Sequence, residues 1–461
     1  MRRNDWKPEV SRRDGPAYLA LADAIGRDID LGLLVPGDML PPQRSLAQAL
    51  ALDVSTVARA YTEASRRGLL EARVGAGTFV RSAGGEADAR RVRRDLSDRS
   101  MNQPPEPDDP GLRQRMREVW DGIGPDMTAL LRYQPLGGSA EDKAAALSWL
   151  SRLHIEAQAD DLLITPGAHA ALFAVLGELA APGECVLCEA ITYPGIRAIS
   201  EALGIRLEGL PCDAHGIDPT AFASRVANGD VRALYLNPTL RNPTTETMPT
   251  QRRAEIVGVA RHHGVLIVED DAYGALLPNA PPAVAMLAPE ITFYVGGLAK
   301  CLGAGLRLAY LIVPRPRAYT GVAARLKAAT VMACPITTSL ATRWIETGIA
   351  DALLRAVQAE SRVRQRMVAA SLPSETVTAD PDGFHVWVHP PRPWSRARIV
   401  DWMRGQSLGA VAADAFCVGI EAPEAFRLCL GGAATRAETG QALQFLADAF
   451  HHPPNLLQGS L

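Results

Sequence analysis

Lys300 is the residue whose setting suits covalent chemistry. It stands in Tyr294–Arg307, YVGGLAKCLGAGLR, where β-type residues give way to a glycine-rich stretch. A lysine held partly out of water at a strand end loses some preference for its charged form and can condense with a carbonyl. Arg307 follows shortly after, with a planar fork suited to phosphate. Together they point to pyridoxal phosphate, and that cofactor makes further demands. Its ring nitrogen needs a carboxylate to stay protonated and withdraw electrons; Asp270 is the candidate. Its phenolic oxygen needs neutral donors, and Asn242 and Tyr273 qualify. Tyr193 suits the ring face. The phosphate wants a helix N-terminus, which the turn Gly167, Ala168 and His169 offers beside Arg307. Taken singly, each has a structural alternative: Asp270 an N-cap, Asn242 a turn residue before Pro243, Tyr193 core filling. Taken in order, each after an apolar strand-like run, they favour a site.

The elements that must position these residues alternate from Gly111 onward, the mark of an α/β domain. Strands are expected at Leu162–Thr165, Glu184–Ala190, Ala233–Leu236, Val265–Val268 and Tyr294–Val295, with the last breaking on Gly296 and Gly297. A helix is expected from about Ala168. In open parallel sheets ligands gather at the carboxyl ends of the strands. Cys185 and Cys188 have the spacing of half a zinc site, but no second pair exists in the sequence. Both fit better in a buried strand, so no metal site is expected.

The first 80 residues read differently. Apolar residues recur at helical spacing over Ala17–Gly32. Leu34–Pro42 is turn-rich, and a second helix is expected at Gln43–Leu50. Asp53 is placed to cap a third, Val54–Arg67, which Gly68 stops. Leu69–Ala72 and Thr78–Arg81 flank a hairpin tip at Arg73–Gly77. Three helices and a ribbon describe a winged helix-turn-helix over residues 15–80. A small helical interaction domain would show the same pattern. Residues 81–110 read as a linker: Gly84-Gly85, then RRVRR, then the proline-rich QPPEPDDP. RRVRR fits a solvated surface and extra DNA phosphate contacts about equally well.

The 461 residues carry a net charge of −3, so no global basic field points to nucleic acid. Residues 1–80 sum to +1 and the remainder to −4, so any DNA contact must come from local arginines. MRRNDWKPEV has no apolar core of a secretory signal, and no apolar run is long enough for a membrane span. With seven scattered cysteines, the expectation is a cytoplasmic protein.

Two resemblances sharpen this reading. PGDMLPPQRSLAQAL, STVARAYTEASRRGLLEARVGAGTFV and AYLALADAI resemble the DNA-binding domain of the GntR superfamily. That implies operator contacts from Arg44, Ser55, Thr56 and Arg59, with the wing at Gly75 and Gly77. Val54 stands where the family often has a basic residue, a position suited instead to a thymine methyl. From about Tyr133 to Gly431, the strings RYQPLGG, ITPGAHAAL, TYPG, RNPTTE, VEDDAYG, GGLAKCLGAGLRLAYL and FRLCLGG resemble fold-type I aminotransferases. That likeness implies pyridoxal phosphate on Lys300 as a Schiff base, Asp270 at the ring nitrogen, Tyr273 and Asn242 at the phenolic oxygen, and Tyr193 on the ring. It also implies Arg307 and the Gly167–His169 turn at the phosphate, and Tyr133 at the phosphate of the neighbouring subunit's cofactor. Arg427 would take a ligand carboxylate. Gly297, Ala299 and Ala168 depart from the serines common in the family, which weakens the phosphate cage.

A winged helix ahead of an aminotransferase-like domain, here residues 111–461, is similar to the MocR-type regulators. The resemblance implies a head-to-tail homodimer that binds operator DNA and senses a small amine or amino acid. A working aminotransferase with an accessory DNA-binding domain is the alternative. A DNA-binding protein whose large domain only dimerises would have no need of Lys300 and Asp270 together.

Overall fold

The computed structural model describes residues 6–8, 16–30, 33–35, 37–67, 69–73, 77–80, 99–314 and 319–452. The chain divides into two units, Met1–Ser97 and Asp98–Leu461.

In the first unit, helices α1 (Ala17–Asp30), α2 (Gln43–Leu50) and α3 (Val54–Arg66) precede strands β1 (Leu70–Arg73) and β2 (Gly77–Val80). Helix α3 buries Val57, Ala60, Tyr61 and Ala64, a helical stripe, against Leu21 and Ile25 of α1 and Leu46 of α2. Each large apolar side chain so buried contributes roughly 1.5–3 kcal/mol. The Tyr61 hydroxyl donates to the Pro41 carbonyl at 2.8 Å, tying α3 to the turn before α2. Asp53 occupies the N-cap position of α3, but its side chain makes no capping bond. Strands β1 and β2 pair antiparallel from Leu70↔Val80 to Arg73↔Gly77. Part of the supposed turn-rich break joins them: Met39 bridges to Phe79, and the Leu40 amide donates to the Thr78 carbonyl.

The second unit is built on a seven-stranded sheet. In chain order its strands are β3 (Leu162–Thr165), β4 (Cys185–Glu189), β5 (Arg206–Leu210), β6 (Val231–Leu236), β7 (Leu266–Asp271), β8 (Thr292–Gly297) and β9 (Ala309–Ile312). Their spatial order is β3-β9-β8-β7-β6-β4-β5. Strand β9 is antiparallel to both neighbours and the other pairings are parallel. Both faces are covered, which is why these strands are nearly continuous apolar runs. Cys185 and Cys188 lie buried and unpaired within β4. Two strands run further than expected: β7 includes Glu269, Asp270 and Asp271, and β8 includes Gly296 and Gly297. Ladder pairing explains both extensions, with Val295 opposite Asp270 and Gly297 opposite Ala309.

A smaller antiparallel sheet follows, from β10 (Val377–Ala379), β11 (His385–Val388), β12 (Gly409–Ala412) and β13 (Phe426–Cys429), in the order β10-β11-β13-β12. Val386, Val388, Phe426 and Leu428 of this sheet share a core with helix Arg436–His451.

The linker does not extend to residue 110. Residues 99–109 belong to the second unit: Pro105 bridges to Gly432, and the Gly432 amide donates to the Pro104 carbonyl. Prolines in this stretch shape an extended segment that lies on the sheet rather than a free spacer. Asp109 then caps helix Pro110–Ile123, accepting from the Leu112 amide.

Candidate functional site

The carboxyl ends of β3, β4, β6, β7 and β8 share one edge of the large sheet, because these strands run parallel. The turns that leave this edge carry the residues singled out above. Lys300 follows β8 in a single 3-10 turn, Leu298–Lys300.

Strand alternation sorts the three acids at the end of β7. Glu269 accepts from the Val284 and Ala285 amides. Asp271 accepts from the Tyr294 hydroxyl and the Gly274 amide. Asp270 points to the opposite face. One of its oxygens, Oδ2, accepts from the Tyr235 hydroxyl at 2.8 Å, and the other, Oδ1, is buried without a partner. Burial pushes this carboxyl up to about 6, against the pull of the Tyr235 bond. Asp270 alone of the three therefore has an acceptor to offer a ligand.

Lys300 is buried beside it. Burial, then the charge of Arg427, pushes its amine down to about 8. The amine donates to the Asn102 carbonyl and lies 5.9 Å from the Tyr273 ring centre. The Tyr273 hydroxyl accepts from Asn102 Nδ2 at 2.9 Å, and burial pushes its ionisation well above the ordinary range. Arg427 projects from β13 with its guanidinium 5.1 Å from the Phe416 ring centre. It donates to Asn242 Oδ1 at 2.8 Å and to the Ser100 carbonyl at 2.5 Å, while its Nε is buried without a partner. Asn237 braces the floor: its amide donates to the Asp270 carbonyl, and its oxygen accepts from the Asn242 amide.

Opposite lies the turn after β3. Gly167 has φ of +90°, a conformation that a side chain would strain. A Cβ there would also stand 3.3 Å from Nη2 of Arg307, so this guanidinium sits against the N-terminus of helix α4 (Ala168–Leu179). Arg307 itself has φ of +51°, a strained conformation for a non-glycine residue and one common at functional sites. Among the described residues no carboxylate pairs with Arg307, which leaves its fork for an anion. His169 Nε2 and the Tyr193 hydroxyl form a short hydrogen bond. Burial, then Arg307 and Lys300, lowers the His169 imidazole. Gly195 permits this arrangement, since a Cβ there would fall 2.4 Å from the Tyr193 ring and 2.6 Å from His169. Gly297 and Ala168 face each other, with 3.7 Å between a Cβ on Gly297 and the Ala168 Cβ.

The structure thus brings together Lys300, Asp270, Tyr273, Asn242 and Arg427, and on the phosphate side Gly167, Ala168, His169, Tyr193 and Arg307. Tyr133 is 86% exposed and shares no hydrogen bond or ring contact with these groups among the described residues. Sequence reasoning missed Tyr235, Asn237, Ser100 and Asn102. A lone tyrosine in an otherwise aliphatic strand was the available signal for Tyr235.

In the first unit, Arg44, Ser55 and Arg59 are exposed and Thr56 is half-buried. The Arg59 guanidinium lies 4.2 Å from the Tyr18 ring centre. Arg66 and Arg67 are bound to Glu63 and Asp23, whereas among the described residues Arg44 and Arg59 have no acidic partner. Val54 is exposed beside them. Gly77 opens β2; Gly75 lies outside the described residues.

The doubly covered sheet, the small antiparallel domain and the lysine after β8 define a fold-type I aminotransferase-like unit behind a DNA-binding unit. The family profile "Aminotransferase class I and II" matches residues 100–446, and "Bacterial regulatory proteins, gntR family" matches residues 17–80. The chain is 30% identical over 451 residues to the "Uncharacterized HTH-type transcriptional regulator YdeF" of Bacillus subtilis, covering 96% of each chain. It is 26% identical over 327 residues to the "HTH-type pyridoxine biosynthesis transcriptional regulator PdxR" of Corynebacterium glutamicum, covering 65% of this chain and 66% of that one. A solved archaeal alanine:glyoxylate aminotransferase superposes with a TM-score of 0.70 at 21% identity, over 85% of this chain and 99% of that one, and shares the fold. The protein belongs to the GntR-type HTH transcriptional regulators that carry an aminotransferase class I and II domain. This fold implies pyridoxal phosphate as its cofactor. Among the described residues no helix is long and apolar enough to cross a membrane.

Proposed function

We propose that this protein is a MocR-type regulator that holds pyridoxal phosphate at Lys300 and reads a small amine or amino acid there. The observation that carries the reading is the convergence of three groups in one buried site. A lysine amine is brought down to about 8, a buried carboxylate oxygen lacks a partner, and a buried guanidinium has one nitrogen unpaired. Burial of such groups without partners is costly unless a ligand completes them. The cofactor fits that need. Asp270 Oδ1 would meet its ring nitrogen, Tyr273 and Asn242 its phenolic oxygen, and Tyr193 its ring face. Arg307 with Gly167, Ala168 and His169 would hold its phosphate. Pyridoxal phosphate supplies an aldehyde that condenses with primary amines and a ring that withdraws electrons. Arg427 would anchor a ligand carboxylate through its fork.

Arg44, Ser55, Thr56, Arg59 and the wing at Gly75 and Gly77 are proposed to contact operator DNA. The exposed Tyr133 supports a homodimer in which it reaches the partner's cofactor, and the family layout supports a head-to-tail arrangement in the cytoplasm. A relative is named for pyridoxine biosynthesis, so the cofactor itself is one candidate signal. The alternative, a turning-over aminotransferase, draws support from the joint presence of Lys300, Asp270 and Arg427. Alanine or glycine at 168, 297 and 299 argues against it. Borohydride reduction of cofactor-saturated protein followed by peptide mapping tests the site. Label on Lys300 is expected; label on another lysine, or none, would overturn it.

A further inference from the structure

We propose that residues 99–103 are a built-in competitor for this site: an extended strap whose Ser100 and Asn102 carbonyls hold Arg427 and Lys300 until cofactor and ligand take those groups. The inference rests on the cofactor reading above and adds its regulation. In extended chain, alternate carbonyls face the same way. Here Ser100 turns its carbonyl to Arg427 at 2.5 Å, and Asn102 turns its carbonyl to Lys300. Met101 between them is 51% exposed, whereas Asn102 is 2% exposed. The Asn102 side chain then spans to the Tyr273 hydroxyl at 2.9 Å, and its own Oδ1 is buried without a partner. One short segment thus occupies the amine, the guanidinium and the phenol on which the proposed function depends.

The strap is closely seated. A Cβ on Gly409 would fall 1.5 Å from the Arg99 carbonyl oxygen, and one on Gly431 would fall 1.6 Å from that of Gln103. Arg99 donates to the Gln406 carbonyl at 2.6 Å, and Pro104 and Glu106 continue the contact with Gly432. Glycine at 409 and 431 lets the segment lie against the small sheet.

Loading the site removes the strap's partners. When a neutral lysine amine condenses with an aldehyde, the carbonyl oxygen leaves as water with both amine hydrogens. The donor to the Asn102 carbonyl goes with them, and no oxidant or reductant is needed. A ligand carboxylate forks onto Arg427 and competes with the Ser100 carbonyl. Buried carbonyls left without donors are costly, so the strap's hold weakens. The strap is also where the chain, coming from the DNA-binding unit, joins the second unit. Its release changes where that connection is anchored, which gives site loading a covalent route to the DNA-binding unit.

The sign of two substitutions in the full-length protein tests this. Asn102→Ala cuts the anchor on Tyr273 and frees that hydroxyl. Pyridoxal phosphate should then bind about fivefold more tightly, the effect of losing one competing hydrogen bond. Asn102→Asp places an anion against Tyr273, Lys300 and Arg427, so the strap should hold harder and the cofactor bind more weakly. Hydrogen exchange of the wild-type peptide spanning 99–105 should speed up on cofactor loading. Weaker or unchanged cofactor affinity in Asn102→Ala, or a 99–105 peptide that exchanges no faster once Lys300 carries the cofactor, overturns the proposal. Borohydride labelling separates the two levels: if no Lys300 adduct forms in any of the proteins, the cofactor reading falls and this inference falls with it.

Discussion

Replacing Tyr235 by Phe removes one buried hydroxyl and almost no volume. That hydroxyl donates to Asp270 Oδ2 at 2.8 Å, and the other carboxylate oxygen has no partner. A hydrogen bond to a charged group contributes about 1.5–3 kcal/mol, and about 1.4 kcal/mol is tenfold in an ionisation equilibrium. With its carboxyl at about 6, Asp270 is about nine-tenths charged at pH 7. Losing the bond makes the charged form about ten- to a hundredfold harder to reach, leaving roughly a half to a tenth of the carboxylates charged at that pH. If the cofactor's ring nitrogen requires the anion, affinity scales with the charged fraction. The variant should bind pyridoxal phosphate about two- to tenfold more weakly at pH 7 and approach wild type by about pH 9. The sign follows from the direction of the shift: a carboxyl pushed further up is neutral at neutral pH and regains its charge as pH rises. Absorbance and fluorescence titrations of the cofactor-free protein at pH 6, 7, 8 and 9 read this directly. An equal loss at every pH would point to damaged structure, and no loss at any pH would show that Tyr235 does not support Asp270; either refutes the reasoning.

Uptake of pyridoxal phosphate at Lys300 should accelerate as pH rises through about 8, where burial and Arg427 place its amine. At pH 7 about a tenth of such amines are neutral, against a few in ten thousand for an ordinary lysine; a rate that keeps rising steeply to pH 10 would contradict that placement. Arg427→Ala should weaken carboxylate-bearing amines about ten- to a hundredfold, the value of a charged hydrogen-bonded contact, while a matched amine without the carboxylate changes little; equal losses for both, measured by the cofactor's visible spectrum, would remove Arg427 as the anchor. Arg44→Ala should weaken binding to an operator obtained by selection from random duplexes and reduce the salt slope by about one phosphate contact. Unchanged affinity and slope in a salt series would mean that Arg44 does not face DNA.

The parts of this architecture legible in the sequence are those written in local pattern. The stripe Val57, Ala60, Tyr61 and Ala64 marks α3, and the apolar run before Glu269, Asp270 and Asp271 marks a buried strand. Position at a strand end then nominated Asp270 and Lys300, and alternation along β7 separates Asp270 from its two acidic neighbours. What stayed hidden depends on distant partners. Asn102 meets Tyr273 and Lys300 across 171 and 198 residues of chain, and Ser100 meets Arg427 across 327. An extended, proline-flanked segment has no periodicity of its own, so QPPEPDDP reads as spacer. Tyr235 was absorbed into strand periodicity because its phenol matters only once β6 and β7 lie side by side.

The central claim is that occupancy of the Lys300 site changes DNA affinity, and one measurement addresses it most directly. Operator affinity is measured for full-length wild-type and Lys300→Ala proteins, each alone, with pyridoxal phosphate, and with cofactor plus each amine that alters the cofactor's visible spectrum. The account predicts at least one amine that shifts wild-type affinity by about 5- to 150-fold, the usual range of coupling between linked sites. It predicts that Lys300→Ala loses that shift, and that operator DNA changes the amine's affinity by the same factor. A full shift in the Lys300→Ala protein with no cofactor present would contradict the account, and rapid multiple-turnover conversion of the amine to a carbonyl product would favour the aminotransferase instead.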